Sequence, residues 1–248
     1  MSEGNARKAD RVAHDLLTRI VGGEIAVGAV LPREPELAQR YGVNRSVVRE
    51  AIKLLEVHRL VRPVRRRGTE VLDPIRSVSP EVLRAMIVPS HGRVDREAFA
   101  DFLELRSALD LQMSMLAAER RTDEDLATLE RHIEVLASLV HDRVAYFDAV
   151  DRLTLDLARA THNRIFEMLV WWNQEVSREL QDVFRAVRPA NEPHLTGVRL
   201  LVDLIRRRER EPIRALVTAY HEWSNPRLMA GALLSSGEPL ESLLENTR

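Results

Sequence analysis

Residues 35–55, PELAQRYGVNRSVVREAIKLL, decide how the front of this chain folds. Val48, Ala51, Ile52 and Leu55 recur at i, i+3, i+4 and i+7, the stripe of a helix that buries one face. Asn44 stands at its N-cap, while Arg45, Ser46 and Arg49 fall on its other side. Upstream, a short helix over about 35–41 ends at Gly42, because glycine takes the left-handed conformation of helix ends at little cost. The step Gly42-Val43-Asn44 between two short helices predicts a helix-turn-helix.

The same reasoning extends in both directions. Before it, a helix over about 9–21 carries Val12, Leu16, Leu17 and Ile20 on one face and stops at Gly22-Gly23, with a loop over 24–31 leading to Pro32. After Leu60 the period shortens. Leu60-Val61-Arg62-Pro63-Val64 and Gly68-Thr69-Glu70-Val71-Leu72 read as two short strands joined through Arg65, Arg66 and Arg67. Pro63 cannot donate to a ladder, so its strand belongs at an edge, as in a two-stranded wing. Together with Arg62, the wing concentrates four positive charges within six residues.

Charge supports a division of labour. Residues 1–72 hold 14 basic and 9 acidic side chains, the rest of the chain 23 and 29, so a net of −1 hides a basic front on an acidic body. That is the distribution expected when only the front meets a polyanion. A helix presenting arginine and small polar side chains at its first turn can enter the major groove, and an arginine-rich hairpin suits the backbone or a narrow minor groove. Cysteine is absent, which excludes disulfides, thiolate metal sites and cysteine nucleophiles. No apolar window is long enough to span a bilayer, and the first twenty residues carry charges throughout, so a soluble, cytoplasmic protein with no membrane partner is expected.

The fold class is mainly α. Asp73-Pro74 and Ser79-Pro80 bracket a segment that neither helix nor strand can cross unbroken. The organisation expected is a winged helix-turn-helix domain over 1–73, a linker over 74–79, an all-helical domain over 80–234 and a flexible tail over 235–248. Helical patterns run over about 80–89, 95–120, 123–142, 144–161, 164–188, 195–208 and 211–232. Trp171 and Trp172 can serve core, interface or ligand site, and core or interface is the simpler reading.

Residues 31–38, 41–51 and Arg67-Gly68-Thr69 resemble the winged-helix domain of GntR-family transcriptional regulators, and the helical remainder resembles the effector domain of the FadR (FCD) branch. The resemblance implies that Arg45 and Arg49 make the principal base and phosphate contacts. Asn44 and Ser46 would assist, with Arg66, Arg67 and Gly68 at the wing, where the charge of the hairpin adds Arg65 to the expected DNA-binding residues. Pro35 stands where family members often carry Arg or Lys, so the phosphate contact made there is either absent or falls to Arg33.

Many proteins of the FadR branch hold a metal with one Asp and three His. Alignment on Ala160-Thr161-His162-Asn163 puts Val150, Thr154, Arg199 and His221 at those positions, and only one of the four ligand types survives. No metal and no other cofactor is therefore expected. Arg106 matches a cavity-facing arginine of the family, so Arg106 and Arg199 could clamp a carboxylate or phosphate, with Thr154 and His221 as neutral partners. Equally, Arg106 can pair with Asp110, and His221 can be an ordinary buried histidine. The other histidines show no ligand spacing.

No nucleophile elbow, phosphate loop or dinucleotide-binding glycine motif is present, so an enzyme is not expected. The expected function is a ligand-responsive DNA-binding regulator, a repressor acting as a homodimer on an inverted-repeat operator. Its effector would be an organic acid, a sugar acid or a fatty acyl-CoA. The alternative is a constitutive dimeric DNA-binding protein whose helical domain only dimerises.

Overall fold

A computed structural model describes residues 3–89, 93–180 and 190–235. Among them are ten α-helices, one two-stranded sheet and a 3₁₀ turn, in two compact units, 1–95 and 96–248. The chain is mainly α, with a helix-turn-helix and wing followed by a helical body.

In the first unit, α1 (Glu3–Val21) begins six residues before the start expected at about residue 9. Ala6, Arg7 and Lys8 favour helix there, and Ala9 is already buried. The helices α2 (Glu34–Tyr41) and α3 (Arg45–Val57) are joined through Gly42, at φ 62° and ψ 38°. Val12, Leu16, Leu37, Val48 and Leu55 meet in one core. Complete burial of residues of this size contributes roughly 1.5–3 kcal/mol each.

The strands β1 (Val61–Val64) and β2 (Gly68–Val71) pair antiparallel, with Val61 opposite Val71 and Val64 opposite Gly68. The segment read as a loop lies along the far side of β2. Leu31 donates to the Thr69 carbonyl, Val71 donates to that of Ala29, and Val30 bridges Glu70.

The prolines at 74 and 80 interrupt the chain without dividing the compact units. Asp73 caps the 3₁₀ turn Pro74–Arg76, and Ser79 caps α4 (Pro80–Ile87) by accepting from the Val82 amide. Val82 and Ala85 of α4 then enter the core of the first unit against α1. The unit boundary lies after Asp95, later than the sequence break at 74–79.

The second unit contains α5 (Arg96–Arg120), α6 (Asp123–Ser138), α7 (Arg143–Arg159), α8 (Arg164–Glu179), α9 (Asn191–Arg207) and α10 (Arg210–Ser235). Thr122 and Asp125 form a reciprocal capping box at the start of α6. Met113, Leu129, Leu136, Leu153, Ile205 and Ile213 form its core. The C-terminal ends of α5 and α9 are tied crosswise. Arg121 donates to the Arg206 carbonyl, and Arg208 donates to the carbonyls of Ala118, Glu119 and Arg121. The tail expected over 235–248 lies, after Ser235, outside the described residues, as do 181–188 of the helix expected over 164–188.

Candidate nucleic-acid interface and ligand cavity

Packing of α3 decides which of its side chains remain on the surface. Val47, Val48, Ala51, Ile52 and Leu55 are buried, which leaves Asn44, Arg45, Ser46 and Arg49 exposed around the first turns. Asn44 occupies the N-cap, yet its side chain makes no capping hydrogen bond; its carbonyl instead accepts from the amides of Val47 and Val48. Arg33, at the N-cap of α2, is exposed as well.

Arg49 does not stand alone. Its Nη2 lies 2.9 Å from Glu34 Oε2 and its Nε 3.2 Å from Oε1, a two-pronged pair. Those bonds, helped by the nearby charge of Arg45, hold the Glu34 carboxyl below its ordinary range. Glu34 lies inside the motif that carries the family resemblance, but no periodicity or spacing marks it as the partner of a residue fifteen positions away.

On the wing, Arg65, Arg66, Arg67 and Gly68 are all exposed. Arg66 takes φ 65° and Gly68 φ 110°, and the Arg67 amide closes the turn on the Val64 carbonyl. A Cβ on Gly68 would lie 2.9 Å from Val30 Cγ1, so both conformation and space require glycine. Arg62, the fourth cation of the wing, is neutralised by Glu70 directly across the ladder, 2.9 Å away. The exposed cations of the tip are therefore Arg65, Arg66 and Arg67.

The second unit holds a half-open cavity of about 530 Å³ between α5, α7, α8, α9 and α10. Arg106, Thr154 and His221 line it; Arg199 does not. The inward face of α9 is His194, Val198 and Leu201, at i, i+4 and i+7. Arg199, one residue past Val198, is turned about 100° away and is exposed. The clamp expected between Arg106 and Arg199 is thus not assembled. Arg106 approaches Asp110 instead, at 3.9 Å, and His221 Nε2 lies 3.2 Å from the same carboxylate. Thr154 donates its hydroxyl to the Val150 carbonyl.

His194, which spacing alone leaves among the unremarked histidines, meets Tyr146 Oη at 2.9 Å and packs edge-on against Tyr220. Tyr146 is pushed up to about 12, chiefly by burial. Trp171 and Trp172 do not line the cavity. His132 and His162 bond Asp156 and Asp125 respectively, both outside it.

The donor set does not suit the metal found in many FCD domains. The Val150 side chain offers no lone pair, Thr154 is engaged with the backbone, and Arg199 is a cation turned outward. Among the described residues no group of three or more His, Asp or Glu side chains is placed to hold an ion.

A helix-turn-helix with an arginine-tipped wing, followed by a helical unit built around a cavity, defines a winged-helix DNA-binding protein with an appended ligand-binding type of domain. The chain belongs to the GntR family of bacterial regulatory proteins: that family's model matches residues 8–71, and the FCD domain matches residues 101–222. Members are DNA-binding transcriptional regulators, not enzymes.

An HTH-type transcriptional regulator of Mycobacterium tuberculosis, Rv0494, is 27% identical over 224 residues, 90% of each chain. The galactonate operon transcriptional repressor of Escherichia coli is 27% identical over 164 residues, 65% of this chain and 70% of that protein. The solved structure of Lar from Listeria monocytogenes has the same fold, with a TM-score of 0.57 at 20% identity over 90% of this chain and 95% of that one. Among the described residues no helix is long and apolar enough to cross a membrane.

Proposed function

We propose that this protein is a ligand-responsive repressor that binds an inverted-repeat operator as a homodimer. The observation that carries this reading is the exposure of Asn44, Arg45, Ser46 and Arg49 on the second helix of a helix-turn-helix, beside a wing tipped by Arg65, Arg66 and Arg67. Arg45 and Arg49 enter the major groove, Arg33 meets a phosphate, and the wing with Gly68 tracks the backbone or minor groove. Two-fold symmetry of the dimer pairs two recognition helices with two half-sites.

The half-open cavity of the second unit favours an effector over a body that only dimerises, because helices that merely associate have no need of a mostly apolar hollow of this size with a few polar groups set in its wall. Effector binding shifts the population between DNA-competent and DNA-incompetent dimers by its difference in affinity for the two. The expected carboxylate clamp loses support, since Arg199 lies outside the cavity and Arg106 faces Asp110.

Fluorescence anisotropy against the duplex upstream of the protein's own coding region, with a scrambled duplex at the same salt, tests this reading. Tighter binding to the native duplex, relieved by one small molecule, is the expected outcome. Equal binding to the two duplexes refutes self-regulation, and specific binding that no metabolite alters favours the constitutive alternative.

A further inference from the structure

Resting on the reading of the cavity as an effector site, we propose that its ligand is an uncharged amphipathic molecule, an apolar body bearing one hydroxyl or amide group that His221 and Ser224 hold. The wall is mostly carbon, with Leu109, Met113, Val150, Leu153, Phe166 and Leu216 among its residues. Its volume falls within the roughly 300–1,000 Å³ typical of small-molecule sites. Carbon walls bind apolar surface well and leave the hydroxyls of a sugar acid without partners.

The wall carries three cations and two carboxylates, and each cation already has a partner. Its cations are Arg106, Arg143 and Arg227, and its carboxylates are Asp110 and Asp151. Arg106 faces Asp110. Arg227 donates to the Trp223 carbonyl and lies 4.4 Å from the centre of that ring, and Arg143 is engaged too. A ligand carboxylate entering here would lose its water next to two carboxylates, with each of these cations already occupied.

The polar anchor is specific. His221 and Ser224 lie three residues apart on one face of α10, only 5% and 4% exposed, and both line the cavity. His221 Nδ1 and Ser224 Oγ are buried and have no partner among the described residues. A carboxylate oxygen accepts, so His221 Nε2 donates to Asp110, and in the neutral imidazole the other nitrogen, Nδ1, is an acceptor. A ligand group that donates to Nδ1 and accepts from the Ser224 hydroxyl satisfies both atoms. Alcohols and amides do this; a carboxylate has no proton to give.

The test uses the full-length protein with four probes: octan-1-ol, octanamide, octanoate and D-galactonate, each read by melting temperature and calorimetry. Octan-1-ol and octanamide should bind and raise the melting temperature, octanoate should bind roughly tenfold more weakly or worse, and galactonate should not bind. Ser224→Ala removes a hydroxyl with no partner, so it should keep or raise the melting temperature of the unliganded protein while weakening octanamide by roughly three- to tenfold.

The inference is overturned by octanoate binding as tightly as octanamide, by silence of all four probes, or by Ser224→Ala leaving octanamide affinity unchanged. Operator anisotropy separates this result from the regulatory reading. If octanoate or galactonate relieves operator binding, ligand response stands and the uncharged class falls. If octanamide binds without altering operator affinity, the ligand class stands and the response does not.

Discussion

The guanidinium of Arg49 is held at two points, Nη2 and Nε, by the two carboxylate oxygens of Glu34, at 2.9 and 3.2 Å, between the two helices of the helix-turn-helix. The pairing matters because the same planar fork recognises a phosphate or a guanine edge. Arg49 is fixed in direction before DNA arrives, and the carboxylate must be displaced or share the fork when it does. The pair is exposed, so its weight lies in geometry and competition rather than in fold stability.

Removal of the arginine should be costly for recognition. Arg49→Ala is expected to lose roughly 1–3 kcal/mol of specific operator binding at fixed salt, with little change in melting temperature. Anisotropy titrations of operator and scrambled duplexes measure this, and an unchanged operator affinity would remove Arg49 from the interface.

Removal of its partner should act in the opposite direction on non-specific binding. Glu34→Gln abolishes the competing charge, so affinity for scrambled duplex should rise. The slope of log K against log salt should steepen by up to about 0.9 for one additional phosphate contact. A slope equal to that of the wild type would show that Arg49 already meets phosphate despite Glu34.

Gly68 offers a test of the wing in which two causes separate. Gly68→Ala forces a side chain into φ 110° and brings its Cβ to 2.9 Å from Val30 Cγ1. We expect a loss of about 1–3 kcal/mol in the stability of the first unit, with weaker operator binding. Adding Val30→Ala should recover the steric share and leave the conformational share. A double variant no more stable than the single one would show that the contact with Val30 is harmless.

Acid should expose the network around Asp156, which accepts from His132 at 2.7 Å and from Arg159 at 2.9 Å. Burial alone would raise this carboxyl, but the bonds from His132 and Arg159 prevail and hold it below its ordinary value of 3.8. A carboxyl depressed by folding stabilises the native state above its ordinary value, and that stability fades as pH falls through the lower native value. Asp156→Asn should therefore cost about 1 kcal/mol near pH 7, a figure discounted for partial exposure. The gap to the wild type should narrow progressively as pH falls below 3.8. Urea unfolding followed by tryptophan fluorescence reads the second unit, because Trp171, Trp172 and Trp223 all lie there. A gap of the same size at pH 3 as at pH 7 would assign the loss to packing rather than charge.

The first unit was legible because its signals are local. The stripe Val48, Ala51, Ile52 and Leu55, the glycine at 42 and the change of period after Leu60 each report on neighbours a few residues apart. The helices, the turn and the wing follow from them. By elimination the same stripe left Asn44, Arg45, Ser46 and Arg49 on the surface. Local signals do not say what a surface arginine touches. Glu34 reached Arg49, and Glu70 reached Arg62, only through the packing of separate elements.

The cavity shows the same boundary more sharply. Alignment placed Arg106, Thr154 and His221 at inward positions, where they are found, and put Arg199 there too. A helix turns about 100° per residue, so the rotation of α9 that brings His194, Val198 and Leu201 inward carries Arg199 to solvent. Sequence by itself determined the class of protein: two short helices around Gly42, a basic wing, and a helical body without enzyme motifs. Tertiary structure alone decided the company its charges keep, that Arg49 is clasped by Glu34 and that His221 turns one nitrogen to Asp110 and leaves the other to the cavity. The reason is physical: periodicity records which face of an element is buried, whereas contacts between charged groups depend on how separate elements rotate and pack against one another.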